Sequence, residues 1–331
     1  MRIDDGTYSR LFLNMVKVGV IGVGSMGKNH ARVYSELKGV ELVGVSDKDE
    51  KTGNDVAKRF DTKFFPDYKG LMKEADAVSI VVPTKLHYAV AKDFLNAGRD
   101  VFVEKPVTAT LKEADELVKL ARDKSRILQV GHIERFNPAL IQAMDYIKPA
   151  EIIQLEANRI GPSGARITDA GVVLDLMIHD IDVILGIMGE EPAEVTAFGK
   201  RVSGAHEDFA EAMMKFSNGT IASLAASRVT QKRERILRIT QKDCFIVIDF
   251  MNKSLEIHKQ ARSEYVTQDN KAKLVYSDVV EKPYISQDET LKLELQSFVD
   301  SVKTRKAPLV DGKAGRMALE VAIKVLEGIR E

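Results

Sequence analysis

From Val16 to about Met144, short continuous apolar runs alternate with amphipathic stretches. Runs of about four to eight apolar residues suit strands buried on both faces, and apolar residues at three- and four-residue spacings suit helices laid on a sheet. The pattern predicts strands at Val16–Val23, Glu41–Ser46, Lys63–Phe65, Ala77–Val82, Asp100–Val103 and Ile127–Gly131. Helices are expected between them, among others at Lys28–Leu37, Tyr88–Ala97 and Leu111–Arg122. Strands that alternate with helices pair in parallel through right-handed crossovers, so this half reads as a doubly wound α/β sheet.

After Glu151 the strands follow one another without intervening helices, at Glu194–Arg201, Glu211–Phe216, Thr220–Arg228, Arg235–Thr240 and Phe245–Phe250. The turn Ser217-Asn218-Gly219 separates two of them, and such succession favours antiparallel pairing. One helix, Val173–Met188, interrupts this region, and two more, Glu289–Thr304 and Lys313–Ile329, close the chain. The expected organisation is an extension at 1–14, a first domain at 15–148 and an α+β domain at 149–331 with an open, mostly antiparallel sheet. The closing helices are expected to pack back on the first domain.

Composition narrows the classes of function. The 331 residues, 44% of them hydrophobic, can bury a substantial core and exclude a disordered or fibrous chain. Lys plus Arg and Asp plus Glu number 49 each, so no net charge draws the protein to nucleic acid or an anionic membrane, and the Lys232–Arg235 charges read as a solvated strand entry. The single cysteine, Cys244, can form neither an intrachain disulfide nor a structural zinc site. No apolar run approaches the roughly 18 residues that span a bilayer, and Met1–Asn14 has two adjacent acids and no long apolar core. A cytoplasmic protein is expected, with no membrane or nucleic-acid partner and no function assigned to the extension.

Gly22-Val23-Gly24-Ser25-Met26-Gly27 follows an apolar strand and opens a helix. In that setting Gly22 allows the tight turn, Gly24 lets a pyrophosphate approach the backbone, Gly27 lets helix and strand pack closely, and the helix N-terminus offers N–H groups to an anion. The alternative is a glycine-rich turn with no ligand. Asp47, at the end of the second strand and twenty residues past Gly27, is placed to accept hydrogen bonds from an adenosine ribose and to repel a 2′-phosphate. The expected cofactor is NAD, with NADP left open by the neighbouring Lys48.

Two further groups carry candidate chemistry. Glu104-Lys105-Pro106 ends the fifth strand, at the sheet edge where ligands of open α/β sheets bind, and Lys105 there could polarise a carbonyl or exchange a proton; the alternative is a surface lysine. Asp175 and His179, four residues apart in a Leu, Ile, Val and Met-rich segment, share one helix face, where a cleft suits them better than a packed core. No third ligand has recognisable spacing, so no metal is expected.

Together with Val82-Pro83-Thr84-Lys85-Leu86-His87 and the closing segments Glu294–Phe298 and Pro308–Gly312, these motifs resemble the glucose-fructose oxidoreductase, inositol dehydrogenase and MocA-type family over nearly the whole chain. The resemblance implies a Rossmann domain followed by an α/β domain whose open sheet forms homo-oligomer contacts, as a dimer or tetramer. It implies NAD(P)-dependent oxidation of a CH–OH group of a sugar or polyol. Lys105, Asp175 and His179 become the catalytic residues, Ser25 and Met26 join the glycines at the cofactor, and Pro83, Thr84, His87 and Glu104 line its nicotinamide side. Within the family, Gln129–Pro138 is similar to the segment of UDP-N-acetylglucosamine 3-dehydrogenases, which implies a nucleotide-sugar substrate, oxidised to its 3-keto form for cell-surface or glycan sugar synthesis. Arg135 and Asn137 are then substrate contacts. Equally, Arg135 can pair with a carboxylate, and Asn137-Pro138 reads as a helix cap and first residue. An inositol or free-sugar dehydrogenase, and a non-catalytic NAD-binding sensor, are the competing readings.

Overall fold

The computed structural model of the protein describes residues 15–162, 170–203, 205–268 and 271–329. The expected extension at 1–14 lies outside them. By its internal contacts the chain forms two compact units, one of residues 1–133 and 289–319, the other of residues 134–288 and 320–331.

The first unit holds six parallel strands, β1 (Val16–Ile21), β2 (Val40–Ser46), β3 (Lys63–Phe65), β4 (Ala77–Ile80), β5 (Asp100–Glu104) and β6 (Leu128–Gly131), in the order β3-β2-β1-β4-β5-β6. That order reverses direction beside β1, the arrangement of dinucleotide-binding sheets. Val18, Val20, Ile80, Val101, Phe102 and Val103 are buried, which is why these strands read as unbroken apolar runs. The connecting helices are α1 (Ser25–Glu36), α2 (Glu50–Arg59), α3 (Leu71–Glu74), α4 (His87–Asn96) and α5 (Leu111–Asp123). Thr110 and Glu113 form a capping box at the start of α5, fixing the chain a few residues past β5.

The second unit begins with α6 (Pro138–Ala143) and β7 (Ile152–Pro162), and then contains α7 (Ile178–Met188), β8 (Glu194–Lys200), β9 (Phe209–Lys215), β10 (Ile221–Ser227), β11 (Val229–Gln241), β12 (Cys244–Asp249), β13 (Ser254–Gln268) and β14 (Lys271–Glu281). Its eight strands run β14-β13-β12-β11-β7-β10-β9-β8, antiparallel except where β10 joins β7. The sequence pattern did not show β13 and β14. The expected boundary at 148 falls fifteen residues after the observed one, because α6 packs on β12 and β13. The chain closes with α8 (Thr290–Thr304), whose Leu295 and Phe298 lie in the core that α1 and β1 also form, and α9 (Gly312–Gly328).

The predicted helix Val173–Met188 departs from expectation in one respect. It opens as a π-helical turn, Val173–Met177, and becomes α-helical at Ile178. Such turns recur at functional sites.

Candidate active site

The glycine turn has the backbone its sequence requires. Gly22 takes φ of +82°, a left-handed conformation that favours glycine, and Gly27 packs against the Gly22 carbonyl with no room for a side chain. At Gly24 a Cβ would meet nothing within 4 Å, and no side chain caps α1, so the first turn beginning at Ser25 and Met26 presents backbone dipoles to open space. Asp47 closes the other side: Oδ2 accepts the Val23 N–H at 2.7 Å and Oδ1 the Asp49 N–H at 2.9 Å. The carboxylate is thus fixed beside the turn, and each oxygen keeps a lone pair for a ribose hydroxyl. These residues fit a bound dinucleotide.

The ends of β4 and β5 lie at the same edge of the parallel sheet. Exposed Pro83 precedes a 3-10 turn at Thr84–Leu86, with Thr84 half-buried. His87 is 1% exposed, with Nε2 2.8 Å from the Val82 carbonyl and Nδ1 2.9 Å from that of Pro106, so both ring nitrogens are within hydrogen-bond distance of backbone. Its imidazole bolts the loop after β4 to the loop after β5, and burial pushes its pKa below the usual histidine range. Glu104 Oε2 accepts the Lys105 N–H at 3.2 Å, and the Lys105 side chain is half-buried.

In the second unit Asp175 lies in the π-helical turn and His179 in the first turn of α7, both half-buried. Four residues apart across the junction, they stay on one face. Glu207 caps this start: its Oε1 accepts the Val173 N–H at 3.0 Å and its carbonyl oxygen accepts the Val172 N–H at 3.0 Å.

The segment expected to touch substrate is occupied by the protein itself. Asn137 is 2% exposed and caps α6, its Oδ1 accepting the Ala139 N–H while Nδ2 donates to Glu134 and to the Phe250 carbonyl. Both ends of its amide are thus engaged within the second unit, which is the helix-cap reading of Asn137-Pro138. Arg135 donates to the Asp182 carbonyl at 3.3 Å and approaches its carboxylate at 3.7 Å, so its guanidinium also faces α7. Glu134 pairs with Arg159 of β7 at 2.8 Å, and Arg159 grips Asp180 with two bonds of 2.8 Å.

Sequence reasoning missed this buried group. Desolvation opposes the charge on Arg159, yet Asp180 and Glu134 outweigh it and hold the guanidinium above its usual range. Burial raises both Asp180 and Asp182, the latter to about 7 although Arg135 partly offsets the effect. Two aspartates in an otherwise apolar helix, Ile178-His179-Asp180-Ile181-Asp182-Val183, were the available signal.

Comparison with known proteins bears on the whole chain. Residues 16–132 match the oxidoreductase family with an NAD-binding Rossmann fold, and residues 153–248 match the GFO/IDH/MocA C-terminal domain. A UDP-N-acetylglucosamine 3-dehydrogenase of Acidithiobacillus ferrooxidans is 35% identical over 94% of this chain and 96% of its own. A crystal form of that enzyme superposes with a TM-score of 0.87, covering 95% of this chain and 98% of the other. The scyllo-inositol 2-dehydrogenase (NAD(+)) of Bacillus subtilis is 26% identical over 96% of this chain and 95% of its own. A levoglucosan dehydrogenase in complex with NADH and levoglucosan, 18% identical with a TM-score of 0.81 over 95% of this chain and 96% of the other, shares the fold.

Proposed function

The chain belongs to the GFO/IDH/MocA family of NAD(P)-dependent oxidoreductases, dehydrogenases acting on CH–OH groups, and we propose that its substrate is UDP-N-acetylglucosamine, oxidised at C3. The observation that carries the substrate is the 35% identity to a UDP-N-acetylglucosamine 3-dehydrogenase, sustained over 94% of the chain. Inositol dehydrogenases are related at lower identity, 26% for one that spans the same length.

The glycine turn and Asp47 would hold the dinucleotide, whose oxidised nicotinamide would supply the hydride acceptor. The chain's own groups manage the proton and the charge. His179 accepts the hydroxyl proton, Asp175 orients the imidazole and stabilises the imidazolium, and Lys105 steadies the oxygen as negative charge develops on it. A sensor has no use for such a proton-transfer set. Asp47 favours NAD over NADP by repelling a 2′-phosphate.

The second unit also supports assembly. Phe198, Met213 and Ile221 are 69%, 58% and 42% exposed, and the strand pairings put them on one face of adjoining strands β8, β9 and β10. Glu211 and Lys215, opposite Phe198 and Ile221, share that face, a mixture of exposed apolar and charged groups suited to a second copy of the chain, and light scattering of the purified protein reads the stoichiometry. The substrate test is mass spectrometry after incubation with NAD and a panel of sugars. A product lighter by two hydrogens is expected from UDP-N-acetylglucosamine, with free N-acetylglucosamine and inositol nearly inert because they lack the diphosphate and uracil that position the reacting carbon. Comparable efficiency on inositol overturns the proposal in favour of a polyol dehydrogenase.

A further inference from the structure

His30 is fully buried, and neither cofactor nor substrate chemistry has yet used it. It lies in the second turn of α1, the helix whose first turn presents N–H groups to the dinucleotide. Its Nε2 is 3.1 Å from Glu104 Oε1, and its ring meets Phe102 edge-on with centroids 5.4 Å apart. Nδ1 is buried without a hydrogen-bond partner. A buried N–H left unsatisfied is costly, so a proton belongs on Nε2, which donates to the carboxylate.

Glu104 is held from two other directions. Its Oε2 accepts the Lys105 N–H at 3.2 Å, and Gly131 of β6 packs so closely that a Cβ there would lie 3.0 Å from Oε2. Hydrogen bonding within the sheet fixes β5 only as far as its last residue. The Lys105 peptide lies beyond that point, and its amide is anchored to a carboxylate whose own orientation depends on His30. The chain of contacts therefore runs from the phosphate-facing helix, through one imidazole and one carboxylate, to the backbone of Lys105.

We propose that His30 is a positioning residue: by donating to Glu104 it holds the Lys105 peptide in register with α1, so that the lysine ammonium and the cofactor share one frame. The inference rests on the reading of Lys105 as a catalytic group. The link asks for an N–H donor at that point, so glutamine can replace histidine and leucine cannot.

The test uses the full chain carrying His30→Leu, His30→Gln, Glu104→Gln and the leucine and glutamine changes His30→Leu and Glu104→Gln together, with kcat expressed per NADH-binding site. His30→Leu is expected to lower kcat at least about tenfold with KM for the sugar little changed, as a small misplacement of a catalytic group does. His30→Gln recovers most of that loss, and the double variant is no slower than Glu104→Gln alone, because the two residues act through one link. Unchanged kcat in His30→Leu, an equal loss in His30→Gln, or additive losses in the double variant overturn the proposal. The Lys105 side-chain resonance, followed by NMR in the NADH-bound protein, separates this from the substrate reading. If the wild type oxidises no sugar, the proposed activity fails by itself; the link still stands when the resonance moves in His30→Leu and returns in His30→Gln, and falls when it stays put in both.

Discussion

The guanidinium of Arg135 lies over Gly186 of α7, filling the space that any side chain at that position would need, and from there it reaches Asp182. Glycine inside a helix ordinarily costs about 1 kcal/mol against alanine, so replacing it usually stabilises. Here the gain is expected to reverse. The guanidinium, the far end of a flexible side chain, can swing off α7, so the cost of Gly186→Ala is that of parting it from buried Asp182, and stability should fall by about 1 kcal/mol in urea unfolding. Arg135→Ala vacates the same space, so the double variant should be more stable than the sum of the two single losses predicts. Additive losses would detach the glycine from the arginine.

Asp182 gives this cluster a pH dependence. Its pKa, near the ordinary carboxylate value when unfolded, is pushed up to about 7 in the folded protein by burial. Between those two values the folded chain holds a proton that the unfolded chain has released, so stability falls as pH rises through that window. Asp182→Asn removes the titration. Its stability relative to wild type should improve by about 2 kcal/mol between pH 5 and pH 8, read from urea unfolding at each pH. A difference that does not change with pH would show that Asp182 ionises freely in the fold.

What the sequence made legible, and what it hid, follows the range of each interaction. The first sheet was readable because its strands are buried on both faces and leave unbroken apolar runs such as Val101-Phe102-Val103. The glycine turn and Asp47 were readable because the spacing itself encodes the geometry. Strand β13 was not, since alternation in Ser254–Gln268 is confined to Leu255 and Ile257 and the rest is rich in charged and polar residues. Glu134, Arg159 and Asp180 were equally invisible as a group: each comes from a different element, separated by 25 and 21 residues, and no periodicity connects them. The local signal at Asn137-Pro138 was legible as a helix cap, whereas the bond from its Nδ2 to the Phe250 carbonyl comes from tertiary packing that no local pattern shows.

At the cofactor, Asp47 has two duties. It holds the Val23 and Asp49 amides and, in the proposed function, repels a 2′-phosphate, so Asp47→Ser should shift the ratio of kcat/KM values toward NADP while also weakening NAD binding through the loosened turn. Steady-state kinetics with both cofactors reads the first effect and calorimetry the second. Gly24→Val, with a branched side chain pointing into the open space before α1, should block the pyrophosphate and abolish measurable binding of either cofactor. Unchanged NAD affinity in that variant would place the cofactor elsewhere.

For the catalytic assignment, the decisive comparison is between removal of the base and removal of its support. His179→Ala takes away the proton acceptor and should lower kcat by about two to four orders of magnitude while leaving NADH affinity near the wild-type value. Lys105→Ala should produce a loss of about the same size, because developing charge on the oxygen goes uncompensated. Asp175→Asn keeps the size of the side chain and removes its charge, so the imidazolium that His179 must become is less stable. Its effect should be smallest at low pH and grow to a plateau as pH rises, since a base of lowered pKa is unprotonated over a wider range but pulls less strongly on the proton. A pH–rate profile for Asp175→Asn that runs parallel to the wild type would separate the two residues, leaving His179 to act without electrostatic help from its neighbour one turn away.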